Sequence, residues 1–145
     1  MVPVETTKIL VIEDNPMDVR LLRIALEKVR DWPIAVTVAA DGEEAINYLL
    51  DGETLKPDLV ILDLNLPKRD GLEVLQLIRI TDYLYGLPVV MLSSSPEDVV
   101  KAKIANAHME AELYLTKPAS VSEFFGIGAM LRDFYIGRAV ASTAG

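Results

Sequence analysis

The sequence has no cysteine, and this absence excludes disulfides, thiolate nucleophiles and cysteine metal ligands. It has a single histidine, and no apolar run approaches the ~18 residues that are needed to cross a bilayer. Basic residues are also few, since 14 Lys and Arg stand against 22 Asp and Glu and the formal net charge is −8. A nucleic-acid-binding surface needs a basic footprint, so we expect no direct binding to nucleic acid. The lack of a long apolar run leads us to expect no membrane segment.

The chain is well supplied with apolar residues, which make up 51% of its 145 residues. A chain of this length fits one domain with a core of its own. Residues 1–5 lack the basic and apolar regions of a signal peptide, so a cytoplasmic location is favoured. We expect a single domain over residues 1–145, with its core at about 8–136 and a C-terminal tail at 139–145.

Short apolar runs bounded by turn residues predict the strands. Runs without polar alternation are typical of strands buried on both faces, as in a parallel sheet. The runs are residues 9–12, 59–62, 89–92 and the shorter 113–115. Residues 34–38 have mixed polarity and predict an edge strand.

Between the strands lie segments with helix start signals. The candidate first residues are Asn15-Pro16, Asp41, Asp70, Ser95-Pro96 and the capping box that opens at Ser120. Strands that alternate with helices predict an α/β fold, with a doubly wound parallel sheet and helices on both faces.

Polar side chains follow the buried strands where each strand ends. Glu13 and Asp14 follow the first strand, Asp63 the third, Ser93 closes the fourth, and Lys117 follows the fifth. The carboxyl ends of parallel strands lie at one edge of the sheet, where open α/β sheets bind ligands. We therefore expect these side chains to converge on one cleft.

These residue types together indicate phosphoryl chemistry with a metal ion. Three adjacent carboxylates repel one another unless a cation is present, and oxygen ligands favour Mg²⁺. A carboxylate beside Mg²⁺ can act as a nucleophile toward phosphorus and form an aspartyl phosphate. Lys117 and a hydroxyl group would stabilise the charge on the transferred group.

Simpler interpretations exist for each residue taken alone. A loop acid is most often a helix cap, a lysine a solvated charge, and a strand-end serine a partner of the backbone. However, Asn15 is the better cap for the first helix, which leaves Asp14 without that role. Asp63 lies several residues before the next helix. The joint placement at four strand ends favours the functional interpretation.

Five short motifs stand at the strand ends and the turns that follow them: residues 8–14 (KILVIED), 60–67 (VILDLNLP), 70–71 (DG), 88–93 (PVVMLS) and 115–118 (LTKP). Together they resemble the receiver domain of two-component response regulators. The resemblance implies a flavodoxin-like, five-stranded sheet of order 2-1-3-4-5. Residues 13–21 and 62–71 are more narrowly similar to stand-alone response regulators that partner bacterial phytochrome histidine kinases.

The resemblance also implies roles in the acidic site. Asp63 would be the phosphoacceptor. Asp14, Asp63 and the backbone carbonyl of Asn65 would bind Mg²⁺ directly, and Glu13 would act on the metal through water. Lys117 would contact the phosphoryl group.

Further roles concern the switch that follows phosphorylation. Ser93 would be the switch hydroxyl, the backbone N–H of Ser94 a phosphoryl donor, and Tyr114 an aromatic rotamer that reports the switch. The alternative for Tyr114 is an ordinary strand aromatic. Receivers often have a cis peptide bond at the position of Lys117–Pro118, which we also expect here. They usually have a glycine near Glu110, and its absence leaves the course of residues 106–112 open.

The predicted function is a single-domain response regulator that takes a phosphoryl group from a sensor histidine kinase, with a bacteriophytochrome as a candidate. Phosphorylation would change the surface of the fourth helix, fifth strand and fifth helix for dimer or partner binding. The resemblance implies a phosphoacceptor that catalyses its own phosphorylation and dephosphorylation, and we expect no turnover enzyme. The alternatives are a non-phosphorylated interaction module and a Mg²⁺-dependent phosphatase or phosphotransferase of the haloacid-dehalogenase type. Asn65 disfavours the enzyme, because such enzymes have an acid two residues after the nucleophile.

The predicted fifth helix carries more apolar residues than one face can hold. This surplus favours a symmetric homodimer through that helix, because twofold dimers dominate among oligomers. The alternative is a helix that is more deeply buried by its own domain. The expected interface residues are Phe124, Phe125, Ile127, Leu131, Phe134 and Tyr135.

Overall fold

The structure, a computed structural model, describes the backbone of residues 5–68 and 70–144 and the side chains as far as residue 139. Its strands form one parallel sheet in the order β2-β1-β3-β4-β5. They are β1 (Thr7–Ile12), β2 (Ile34–Ala39), β3 (Leu59–Leu62), β4 (Val89–Ser93) and β5 (Leu113–Thr116). The predicted fold class, strand order and edge position of β2 are confirmed.

Six helices connect and flank the strands in the described part of the chain. They are α1 (Pro16–Glu27), α2 (Gly42–Leu50), α3 (Gly71–Ile80), α4 (Glu97–Asn106), α5 (Val121–Phe125) and α6 (Ile127–Ala144), with a short 3-10 helix at Asp82–Leu84. The side chains of Asn15, Asp41, Asp70 and Ser120 cap α1, α2, α3 and α5 by accepting backbone N–H groups. At α4 the cap position is Pro96, and no side chain caps this helix.

The core lies on both faces of the sheet because successive strand residues point in opposite directions. Ile9 and Val11 pack on the face that carries α1, α5 and α6. Leu10 and Ile12 pack on the face that carries α2, α3 and α4. Each of these four side chains is at most 1% exposed, so β1 is buried on both faces as its unbroken apolar run predicts.

The predicted fifth helix is divided into α5 and α6 at Gly126. Beyond this break, α6 approaches α1 closely at Gly128, where an added Cβ would lie 2.2 Å from the carbonyl oxygen of Ala25. Only glycine allows this approach. The predicted tail at residues 139–145 is instead helical through Ala144, and Gly145 lies outside the described residues.

The close approach of α6 changes the expected dimer interface. Phe124, Ile127 and Leu131 are 2%, 3% and 0% exposed and belong to the core on the α1 side of the sheet. These three side chains have no surface to offer a partner, which corrects that part of the prediction. Their burial within the domain agrees with the alternative interpretation of this helix.

Two further features bear on the predictions. Among the described residues no peptide bond is cis, so the prediction for Lys117–Pro118 is wrong in this structure. Trans is the intrinsically favoured form even before proline. None of the helices in the described ranges has the length and apolar character that crossing a membrane requires.

Candidate functional site

The strand ends bring the predicted site residues to one edge of the sheet. The backbone N–H of Glu13 donates to Ala39 at 3.0 Å, and that of Asp63 donates to Ile12 at 3.1 Å. The ladder thus continues one residue past β1 and β3. At the other side of the site, the N–H of Lys117 donates to the carbonyl oxygen of Ser93 at 2.8 Å. These backbone hydrogen bonds therefore hold the Cα atoms of Glu13, Asp63 and Lys117 in place at the edge of the sheet.

Three carboxylates meet at this edge. One oxygen each from Glu13, Asp14 and Asp63 lies within 4.8 Å of the others. Glu13 and Asp63 are buried, and Asp14 is exposed. The predicted acidic cluster is confirmed as a geometric arrangement.

The cluster fits a divalent cation. The Oε2 atom of Glu13 is buried and has no hydrogen-bond partner among the described residues. Buried carboxylate oxygens normally have a donor or a metal ion. An all-oxygen set with one exposed member suits a hard cation that keeps some of its waters, such as Mg²⁺ or Mn²⁺.

Lys117 joins the carboxylates from the end of β5. Its ammonium nitrogen contacts the Oε1 atom of Glu13 and lies 3.0 Å from the Oδ2 atom of Asp63. A third contact, at 2.8 Å, is with the Oδ2 atom of Asp18 in the first turn of α1. The Lys117 side chain is only 11% exposed, so solvent screens these contacts weakly.

Burial and mutual charge shift the pKa values of two of these groups in physically different ways. Burial, followed by the neighbouring Asp63, raises the pKa of Glu13 to about 9. Burial by itself would lower the pKa of Lys117, but hydrogen bonds with Asp18, Glu13 and Asp63 outweigh it and the pKa is raised. Near neutral pH, Lys117 therefore stays an ammonium, while Glu13 holds a proton in the absence of a cation.

The loops around the acidic cluster hold the remaining predicted residues. The N–H of Asn65 donates to the Oδ1 atom of Asp63 at 3.2 Å, and Asn65 itself is exposed. Ser93 is fully buried, and its hydroxyl accepts the N–H of Ser95 at 3.2 Å. Ser94, the next residue in the same loop, is exposed. The Ser93 hydroxyl is thus engaged by its own loop.

Tyr114 lies on β5 at the face that carries α4. Its hydroxyl accepts the N–H of Ala111 at 3.1 Å, and the ammonium of Lys101 lies 5.4 Å from the ring centre. The ring is half-buried against the core. It is a strand aromatic whose hydroxyl is tied to the loop before β5.

That loop follows a tight helix ending. His108 adopts φ 58°, and the N–H groups of His108 and Met109 donate to Ala105 at 2.9 Å and to Ile104 at 3.0 Å. This is a Schellman motif with histidine in the left-handed position that glycine usually takes. It defines the course of residues 106–112, which the sequence left open.

Comparison with known proteins assigns the family. The family described as the response regulator receiver domain matches residues 9–127. The chain belongs to this family. It is a receiver domain of two-component signalling, whose response regulators work with histidine kinases.

Relatives of the receiver domain include phytochrome response regulators. The response regulator Rcp1 of Synechocystis is 35% identical over 133 residues, which are 88% of each protein. The crystal structure of the phosphorylated cyanobacterial phytochrome response regulator RcpA has a TM-score of 0.81 and 38% identity, covering 91% of this chain and 95% of that one. The crystal structure of the Mn²⁺-bound form of Rcp1 has a TM-score of 0.77 and 34% identity, covering 89% of this chain and 94% of that one.

A second kind of relative is longer. The alkaline phosphatase synthesis transcriptional regulatory protein PhoP of Bacillus subtilis is 39% identical over 116 residues, which are 80% of this chain but 44% of PhoP. This chain therefore spans less than half of PhoP and most of Rcp1 and RcpA. The predicted resemblance to stand-alone phytochrome response regulators is confirmed.

Sequence reasoning missed one member of the receiver domain's acidic site, Asp18. An acid in the first turn of a helix is ordinarily explained by the helix dipole, which favours negative charge there. The available signal is its spacing from the cap at Asn15. At the third helical position, the Cβ tilts back toward the helix start, and the carboxylate reaches the strand end.

Proposed function

We propose that this receiver domain accepts a phosphoryl group on Asp63 from a sensor histidine kinase, with Mg²⁺ bound, and acts as a phosphorylation switch. The observation that carries the proposal is the position of the Asp63 carboxylate, which is 7% exposed, beside Glu13, Asp14 and the ammonium of Lys117. Mere packing of the fold does not call for three acids and a lysine at one sheet edge. The relationship to phytochrome response regulators supports a phytochrome kinase as the donor and the cytoplasm as the location.

Hydrogen bonds orient the carboxylate of Asp63, the proposed nucleophile, before the reaction. The N–H of Asn65 contacts one carboxylate oxygen of Asp63, and Lys117 contacts the other. In the transfer, an Asp63 oxygen bonds to phosphorus as the phosphorus–nitrogen bond of the kinase phosphohistidine breaks, and the leaving imidazole takes a proton from solvent water. Lys117 keeps its proton and donates hydrogen bonds to the phosphoryl oxygens, on which negative charge is spread.

Asp14, Asp63 and the backbone carbonyl of Asn65 would hold Mg²⁺ directly, and Glu13 would do so through water. The ion supplies positive charge that offsets the repulsion between the carboxylates and the incoming phosphoryl group. The unpartnered Oε2 atom of Glu13 supports this assignment, because that oxygen gains a water or a cation. The Mn²⁺-bound form of Rcp1 supports it from a relative.

Phosphorylation would add a charge of about −1.5 to −2 at Asp63 and strong acceptor oxygens. The Ser93 hydroxyl would leave the N–H of Ser95 and donate to the phosphoryl group, and the N–H of Ser94 would donate beside it. The loop before α4 moves with these groups, and Tyr114 adjusts its ring. The resulting shift in population alters the surface of α4, β5 and α5.

We propose a switch and not a turnover enzyme. A phosphatase with an aspartate nucleophile needs an acid to protonate the leaving group, and the position two residues after Asp63 holds Asn65. An amide cannot perform that proton transfer. Asn65 therefore favours a phosphoacceptor over a phosphatase.

A symmetric dimer through the last two helices remains the proposed assembly, with a smaller interface than the sequence suggested. Phe125, Phe134 and Tyr135 are half-buried, and Val121 and Met130 are 53% and 51% exposed. This apolar surface would be covered by a second copy. Sedimentation velocity tests the proposal, and a monomer both with and without beryllofluoride would contradict it.

The decisive experiment is intact-mass measurement after incubation with Mg²⁺ and acetyl phosphate. We expect one phosphoryl adduct in the unaltered protein, and none with EDTA or in Asp63→Asn. Asp82→Asn is a matched control, because Asp82 is an exposed acid outside the site. An adduct that survives in Asp63→Asn would refute the assignment, and continuous multiple-turnover release of phosphate would favour the enzyme.

A further inference from the structure

The proposed function gives no role to the short contact between the carboxylate of Asp18 and the ammonium of Lys117. Their charged atoms are 2.8 Å apart, closer than the 3.0 Å between Lys117 and the nucleophile Asp63. The Asp18 side chain is 23% exposed, so it lies at the rim, between Lys117 and solvent. A contact of this length between opposite charges is a charge-assisted hydrogen bond.

A simple helix-dipole role does not account for this arrangement. Asn15 already accepts the N–H groups of Met17 and Asp18 at 2.9 and 3.3 Å, so the first turn of α1 is capped without Asp18. A first-turn acid would be equally favourable to the dipole if it pointed into solvent. The Asp18 carboxylate instead turns over the strand ends to reach a lysine from the end of β5.

Among the three carboxylates that contact Lys117, Asp18 differs from the others. Glu13 and Asp63 belong to the cluster whose oxygens lie within 4.8 Å of one another, and Asp18 does not. A cation in that cluster would compete with Lys117 for Glu13 and Asp63. It would also repel the ammonium, since like charges at such distances repel strongly in a partly buried site. Asp18 is then the one carboxylate left to hold Lys117.

Lys117 has enough N–H donors to bind Asp18 and a phosphoryl group at the same time. An ammonium group has three N–H donors. Because Asp18 and Asp63 are both within hydrogen-bond distance of Lys117, one donor can remain on Asp18 while another turns to a group on Asp63. Asp18 does not have to release Lys117 before a phosphoryl oxygen can be bound.

We infer that Asp18 is a positioning residue, which keeps the Lys117 ammonium beside Asp63 when the metal is bound and so speeds phosphoryl transfer. The inference rests on the proposed function, because it assigns a role within the same reaction. Asp18 is not one of the three carboxylates of the expected metal cluster, and its hydrogen bond to the site is with the ammonium of Lys117, through which it acts.

The test measures the rate of adduct formation from acetyl phosphate by intact mass over a range of Mg²⁺ concentrations. At saturating Mg²⁺, Asp18→Asn should lower the rate about tenfold, as expected when one hydrogen bond to a charged group no longer supports the transition state. Asp18→Glu should restore part of the rate, because it returns the charge. Glu43→Gln is the control, since it removes an exposed first-turn acid from α2 and should leave the rate unchanged.

A double-mutant cycle separates positioning from general electrostatics. If Asp18 acts through Lys117, then Asp18→Asn should have no further effect in a Lys117→Ala background. An equal loss in both backgrounds would overturn the inference. So would an unchanged or faster saturating rate in Asp18→Asn, or a change confined to the Mg²⁺ midpoint. Failure of the unaltered protein to form an adduct would instead overturn the proposed function, which keeps the two failures distinguishable.

Discussion

Gly71 lies directly against the backbone of Asp63. A Cβ atom at position 71 would be 2.5 Å from the carbonyl oxygen of Asp63 and 2.7 Å from the Cα atom of Leu64. The N–H of Gly71 donates to the carbonyl oxygen of Leu64 at 2.9 Å. The start of α3 is thereby fixed against the segment that carries the nucleophile.

Gly71→Ala should therefore impair both stability and phosphorylation. The methyl group cannot be accommodated without moving the backbone of α3 or of Asp63, because its neighbours are main-chain atoms. Overpacking of this kind costs about 1–3 kcal/mol. Urea denaturation should show that loss, and the adduct assay should show slower phosphorylation. Gly52→Ala is the control, because a Cβ there meets no atom within 4 Å, and an equal effect of both changes would contradict the explanation.

Glu13 should make the stability of the metal-free protein depend on pH. Its pKa is raised to about 9 from an ordinary value of 4.5, so between these values the folded state binds the proton more tightly than the unfolded state. Stability should then fall as pH rises from about 4.5 to 9, because the unfolded state is the one that loses its proton first. Urea denaturation in EDTA across this range measures the slope.

Glu13→Gln and Mg²⁺ are the two checks on that prediction. The neutral variant should lose most of the slope and should be more stable than the unaltered protein at pH 8 by a few kcal/mol, since each pH unit above the ordinary pKa contributes about 1.4 kcal/mol. Mg²⁺ favours the ionised carboxylate, so its binding should release a proton and tighten as pH rises toward 9. A slope that is the same in Glu13→Gln would show that another group is responsible.

The sheet and the members of the acidic cluster could be predicted from the sequence, because the signals for them lie within short segments of the chain. The apolar runs and the caps at Asn15 and Asp70 are signals that a few neighbouring residues carry. Glu13 and Asp63 follow their strands directly, and parallel strands place their ends at one edge. No long-range information was needed to bring these groups together.

What the sequence could not supply depends on contacts between distant segments. Asp18 reaches Lys117 only because the first turn of α1 meets the end of β5, 99 residues away. The burial of Leu131 follows from the approach of α6 to α1 at Gly128. An apolar residue count cannot distinguish a helix face covered by its own domain from one covered by a partner.

Arg79 and Glu112 form a network at the opposite end of the sheet. Arg79 donates to the carbonyl oxygens of Leu87 at 2.9 Å and of Glu110 at 3.0 and 3.2 Å, and pairs with Glu112 at 2.8 Å. Glu112 also accepts the N–H of Val89 at 2.8 Å. The network ties the end of α3 to the starts of β4 and β5.

Glu112→Gln should destabilise the fold by about 1–3 kcal/mol, because it weakens a charge-assisted network that is only about 20% exposed. The exposed pair of Glu97 and Lys101 offers a matched contrast, with side chains 51% and 54% exposed. Glu97→Gln should cost no more than about 0.5 kcal/mol. Chemical denaturation of both variants measures the difference, and equal losses would mean that burial does not set the strength of these ion pairs.

His108→Gly should stabilise the receiver domain. His108 occupies the left-handed position of a Schellman motif with φ 58°, a conformation that costs a residue with a Cβ about 1–2 kcal/mol. Glycine removes that cost but loses more conformational entropy on folding, so we expect a net gain of about 0.5–1 kcal/mol.

The control for this change is Ala107→Gly, one residue earlier. Ala107 has φ −90°, a conformation that alanine adopts without strain, so glycine there should only destabilise. The two variants add the same flexibility to the unfolded chain at adjacent positions, and they differ in the sign of φ in the folded state. If the urea midpoint falls in both variants, backbone strain at His108 does not limit stability. The histidine side chain must then be contributing to stability in the folded protein.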